Sequence, residues 1–170
     1  MPTILYRHLK DIKAVGEHTR GNLWLHSSSH FRKIEDNIRR DASEGCASGQ
    51  IHNSLYLSFV NDSFPTQATY ILSFSECPKL PDLGTHVVEL IKPKAFECMV
   101  KAALPKDSMV SFWQVVYSDE VNYRCYPTIP KINQRAMVTK PVRFQGEQEW
   151  RLVVRLPGRF KIRTVALSWK

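Results

Sequence analysis

The sequence has little with which to build a metal cluster, a disulfide framework or a membrane span. Its four cysteines, Cys46, Cys77, Cys98 and Cys125, stand singly. No close pair forms a zinc or redox motif, so free and mostly buried thiols are expected. His26 and His30 would suit a metal only on a helix, and the intervening Ser27-Ser28-Ser29 favours a turn or cap, so no metal is expected there. No apolar run reaches the ~18 residues of a membrane-spanning helix. The opening residues, Met1-Pro2-Thr3-Ile4-Leu5-Tyr6-Arg7, lack the apolar core of a signal peptide. A cytoplasmic protein without a membrane partner is therefore the expectation. Internal repeats and low-complexity tracts are absent too.

Acid is scarce in one place. Residues 1 to 130 hold 14 basic and 14 acidic side chains, whereas residues 131 to 170 hold 10 basic side chains against only Glu147 and Glu149. The last quarter thus carries the whole net charge of +8. A basic surface around a lone acidic pair attracts polyanions or a phosphate-rich substrate, unless it is merely a solvated tail.

The 170 residues suit a single domain spanning 1–170, with 43% hydrophobic residues to build its core. Strands are expected at Ile4 to Arg7, Asn22 to His26, Thr69 to Ser75, His86 to Ile91, Met109 to Tyr117, the run from Gln148 and Thr164 to Trp169. Helices are expected near residues 10 to 18, from Phe31 to Glu44, and from Pro93 to Pro105, where Phe96, Met99, Val100, Ala103 and Leu104 share a stripe. Ser43 to Gln50 reads as a loop, Leu55 to Val60 as a strand or helical turn, and Pro127 to Pro141 as an irregular basic connection. The order predicts an α+β domain, mainly antiparallel, with a split sheet or β-sandwich core and flanking helices.

Glu147-Gln148-Glu149 heads the alternating run Gln148-Glu149-Trp150-Arg151-Leu152-Val153-Val154-Arg155-Leu156. In an extended strand, residues two apart point the same way, which would set both carboxylates side by side. Gln148, Trp150, Leu152, Val154 and Leu156 would form the apolar face, leaving Glu147, Glu149, Arg151 and Arg155 on the polar one. A paired carboxylate can serve a sugar-transfer site. The same pattern also describes an amphipathic strand with a solvated, ion-paired face.

Tyr6-Arg7 on the first strand, Ser73-Phe74-Ser75 on a middle one and Glu147-Gln148-Glu149 on a late one fall in an order that resembles the ADP-ribosyltransferase fold, in the branch built on an arginine, a serine motif and a glutamate pair. The family's serine motif reads Ser-Thr-Ser after an aromatic, whereas Phe74 stands in the middle here. The resemblance implies NAD as substrate. Arg7 would anchor its pyrophosphate, and Ser73 or Ser75 would steady the nicotinamide ribose or the catalytic glutamate. Glu149 would hold the ribose 2′-hydroxyl and stabilise the cation formed as nicotinamide leaves. Glu147 would orient the acceptor or take its proton. Tyr6, Trp24 or Phe74 could stack on nicotinamide or adenine. His8 could supply the ribose contact of another branch, but alternation puts it on the face opposite Arg7. The resemblance implies ADP-ribosyl transfer to a protein or nucleic-acid acceptor, or NAD hydrolysis. The setting would be a bacterial toxin, defence or phage protein, with an inhibitor or antitoxin as a further partner.

Two other readings compete. In a nucleic-acid-binding module without chemistry, Arg135, Lys140, Arg143, Arg151, Arg155, Arg159, Lys161 and Arg163 would hold phosphates while Trp150 or Phe160 stacks a base. In a nuclease, Glu147 and Glu149 would hold magnesium with Asp119 or Glu120.

Overall fold

A computed structural model describes residues 1–27, 46–51, 54–59, 67–119, 122–123, 138–157 and 164–166. The strands are β1 (Ile4–Leu9), β2 (Asn22–Trp24), β3 (His26–Ser27), β4 (Cys46–Ile51), β5 (Ser54–Phe59), β6 (Gln67–Ser75), β7 (His86–Ile91), β8 (Met109–Gln114), β9 (Val116–Tyr117), β10 (Asn122–Tyr123), β11 (Thr139–Lys140), β12 (Glu149–Pro157) and β13 (Thr164–Ala166). Two α-helices, α1 (Ile12–Thr19) and α2 (Pro93–Ala102), and a 3-10 turn, η1 (Val142–Glu147), complete the described elements. The chain is α+β with a mainly antiparallel sheet, as its pattern predicts. No described helix is long and apolar enough to cross a membrane.

The main sheet runs β7-β1-β6-β12-β8, antiparallel throughout. Both β1 and β3 pair with β6, at Ser75 and at Tyr70 and Ile71 respectively, while β12 pairs along the whole of β6. β1 and β3 therefore share one edge of β6 end to end, and the sheet splits there. Just before β3, β2 pairs instead with β13.

Alternation along these strands sorts the residues. One face carries Leu5, Tyr70, Leu72, Phe74, Val110, Phe112, Leu152, Val154 and Leu156, which form the core with Phe96, Val100 and Leu104. Burying one such side chain stabilises the fold by about 1.5–3 kcal/mol, so this face decides the sheet's orientation. Phe74 stands edge-on to both Phe96 and Phe112, at 5.9 and 5.5 Å between ring centroids. α2 begins at Pro93, whose missing N–H costs nothing at a helix start. The α2 residue Glu97, paired with Lys94, accepts the Phe112 N–H at 3.0 Å. In α1, Asp11 caps the first turn by accepting the Ala14 N–H at 2.7 Å.

The expected loop from Ser43 to Gln50 is corrected in part, since Cys46–Ile51 is a strand. Its bonds to β5 and β10 supply what its small polar residues lack in strand propensity. Of the run from Leu55 to Val60, expected as strand or helical turn, the described residues up to Phe59 lie in strand β5. The expected helix from Phe31 to Glu44 lies outside the described residues, as does most of Pro127 to Pro141. Of the two described thiols, Cys77 is partly exposed and Cys98 exposed, where burial was expected.

Candidate functional site

The register brings part of the predicted constellation together. Tyr6 on β1 pairs with Ser75 on β6, and Ser75 pairs with Glu149 on β12. Residues directly opposite one another share a face, so these three form one row on the side away from the core. Ser73 and Arg151 form the next row. Tyr6, His8, Ser73, Ser75, Lys140, Glu147, Glu149 and Arg151 line a cleft of about 160 Å³, with Leu83 on its wall. Leu83 is held over β1 by a tight approach: a Cβ on Gly84 would fall 2.5 Å from the Leu9 carbonyl oxygen.

Arg7 is not among the cleft residues, which corrects the expected phosphate anchor. It shares the face of Leu5, and its guanidinium carbon lies 5.7 Å from the centroid of the Phe74 ring. Its Nε and Nη1 are buried with no hydrogen-bond partner. Burial pulls its pKa down to about 10. His18, packed on Phe96, is pushed down to about 4 by burial and then by the Arg7 charge. His8 takes the cleft side instead. Its Nε2 lies 2.9 Å from the Cys77 carbonyl oxygen, and because a carbonyl only accepts, Nε2 donates. The buried Nδ1 then stands as an acceptor with no partner in the protein.

The two glutamates are not consecutive strand residues on one face. Gln148 turns the chain through the left-handed region, at φ 44 and ψ 52, so Glu147 ends η1 and Glu149 starts β12. Lys140 joins them again: its Nζ lies 2.8 Å from Glu147 Oε2 and 3.3 Å from Glu149 Oε2. Arg151 donates to Glu149 from the same strand. The expected polar face is thus ion-paired but not solvated, for Glu149 is only 5% and Arg151 only 3% exposed. Burial alone would raise the Glu149 pKa, but Arg151 and Lys140, with a bond from Ser73, outweigh it and bring it to about 2. Burial would lower the Lys140 pKa; the two carboxylates reverse that and raise it.

Ser75 is buried, and its hydroxyl proton is committed to the protein. It donates to the Glu147 carbonyl oxygen at 2.6 Å and accepts the Cys77 N–H at 2.8 Å. It braces the carboxylate-bearing turn from the neighbouring strand. Tyr117 supplies a second brace, its hydroxyl accepting the Glu149 N–H at 2.7 Å, and burial is the main cause that pushes its pKa up to about 12. Neither Lys140 nor Tyr117 was singled out for this site from the sequence. The only signal was a lysine seven residues before Glu147 in a basic stretch.

Other candidates separate from the cleft chemistry. Trp24 is exposed on β2, and the Phe74 ring belongs to the core. Trp150 packs against the core and donates from Nε1 to Glu76 at 2.7 Å, away from any stacking role. Lys140 and Arg151, expected to hold phosphates, are committed to glutamates. Arg143 is exposed and lies over the Phe144 ring at 4.8 Å. Asp119 accepts the Val142 N–H instead of joining the glutamates. Arg135, Arg159, Phe160, Lys161, Arg163, Glu120 and His30 lie outside the described residues.

The cleft therefore offers the Glu149 carboxylate held in its ionised form, the Glu147 carboxylate, a histidine acceptor and the Ser73 hydroxyl around a space close to the ~150 Å³ that holds one aromatic ring. No protein family, curated protein or solved structure matches this chain.

Proposed function

We propose that the chain cleaves the nicotinamide–ribose bond of NAD and passes ADP-ribose to a macromolecule or to water. The observation that carries this reading is the row of Tyr6, Ser75 and Glu149 across three neighbouring strands, with His8 and Ser73 beside it. A cleft of about 160 Å³ takes the nicotinamide ring, leaving the rest of the dinucleotide along the open face. His8 Nδ1 accepts from a ribose hydroxyl, the contact expected of His8 in the other branch of the fold, and Arg7 takes no part. As the glycosidic bond breaks, nicotinamide leaves with the electron pair and the Glu149 carboxylate faces the positive charge left on the ribose carbon. The acceptor then bonds to that carbon and gives its proton to Glu147.

Glu147 and Glu149 balance Lys140 and Arg151, so these four groups add no net charge to the cleft. Recognition of the substrate then rests on shape and hydrogen bonds. The test is nicotinamide release from NAD by the wild-type protein and by Glu149→Gln and His8→Ala, with protein extract, nucleic acid or buffer as acceptor. Release that Glu149→Gln abolishes supports the reading. Undiminished turnover in that variant, or no release and no NAD binding by the wild type, defeats it.

A further inference from the structure

A second depression lies beside the cleft on the same face of the sheet. Its lining is Met109, Ser111, Trp113, Val138, Val153 and Arg155, mostly apolar. The register makes the two continuous, because Trp113 pairs with Arg151 of the cleft, Ser111 with Val153 and Met109 with Arg155. From Glu149 to Arg155 the track is roughly 20 Å long at about 3.3 Å per residue. Trp113 is 39% and Met109 58% exposed, so an aromatic surface is open next to the reactive end. Arg155 is the charged residue of the groove, and no described residue bonds or pairs with it.

We propose that this groove is the seat of a single-stranded nucleic acid, the acceptor in the reaction put forward above, on which this identification of the acceptor rests. A base stacks on Trp113 beside the cleft, and a phosphate further along the strand meets Arg155. Charge complementarity favours this occupant over an acidic peptide lacking bases, for an apolar groove with one cation suits alternating rings and phosphates. The ten basic side chains against two acidic ones in the last quarter point the same way. The acidic groups of the cleft do not oppose it, since Lys140 and Arg151 already neutralise them.

The test is equilibrium binding of fluorescent single-stranded DNA and RNA oligonucleotides and of a poly-glutamate peptide, over a range of salt, with no NAD present. The wild type binds an oligonucleotide, and affinity falls steeply with salt. Trp113→Ala weakens binding about tenfold or more through lost stacking. Trp113→Phe recovers most of it, which controls for folding. Arg155→Gln lowers the salt slope by about one. Oligonucleotide binding that neither substitution changes, binding of poly-glutamate with equal strength, or no oligonucleotide binding overturns the proposal. Glu149→Gln separates it from the enzyme reading, for that variant, which leaves Lys140 and Arg151 with less negative charge, binds the oligonucleotide at least as tightly even if NAD is never cleaved. DNA against RNA distinguishes the two sources of the same chemistry.

Discussion

Arg151 clasps Glu149 from two residues along the same strand, Nε to Oε1 at 2.9 Å and Nη2 to Oε2 at 3.3 Å. Such a fork holds a carboxylate in place as well as in its charged form. Its strength is readable as acid sensitivity. The Glu149 pKa falls from 4.5 to about 2 on folding, so its contribution, on the order of 3 kcal/mol, is whole above pH 4.5 and is lost as the pH falls towards 2. Urea midpoints measured down this range should drop for the wild type. Glu149→Gln, weaker at neutral pH, should lose less over the same interval. Parallel curves for the two proteins would show that Glu149 is not held this way.

Lys140 is the cation shared by both glutamates. Lys140→Met would leave Glu149 to Arg151 and take the lysine partner from Glu147, and breaking a buried pair costs about 3–5 kcal/mol. Lys140→Arg, which keeps the charge, should retain a substantial part of that stability. Chemical denaturation of the three proteins checks this, and equal losses for Met and Arg would assign the role to the shape of the lysine instead.

Ser75→Ala should leave the Cys77 N–H and the Glu147 carbonyl without their bridge. One buried polar group left unsatisfied costs about 1–3 kcal/mol, and each kcal/mol lowers Tm by about 2–4 °C in a chain of this size. A melting temperature unchanged within a degree would mean that water replaces the hydroxyl.

The cleft holds His8 and not Arg7, which the motif had placed there. Arg7→Met removes a buried charge with no partner at Nε and Nη1, so stability should stay within about 1 kcal/mol of the wild type or rise. Nicotinamide release should be unaffected. His8→Ala should lower kcat/KM about tenfold, the scale of one hydrogen bond. In Arg7→Met, the His18 pKa measured by NMR should rise from about 4 while burial keeps it below the usual value. A loss of turnover in Arg7→Met with normal turnover in His8→Ala would restore the original assignment.

Strand β12 was legible because its inner face is apolar at every second position from Trp150 to Leu156, and packing enforces that period. The face of Arg7 was legible too: Leu5 and Leu9 share its parity, and Leu5 is fully buried. The motif's order outweighed that signal. The position of Glu147 could not be read, because its direction depends on the left-handed turn at Gln148, which no glycine marks. Lys140 escaped for a different reason. It is delivered by a two-residue strand paired in parallel with β9, a contact between distant segments with no local pattern. Local periodicity thus identified the strands, while the charge network depends on how their ends meet.

The bond from Phe112 N–H to Glu97 has a consequence for self-association. β8 ends the order of the main sheet, and an end strand with unsatisfied N–H groups is a template for the backbone of another molecule. At Phe112 that template is already filled by a carboxylate that is 8% exposed. An incoming strand would have to displace Glu97 and strand its charge in a nearly dry place. The helix that closes the core thus also fills one position of this strand's outer edge, a local barrier to pairing with another chain.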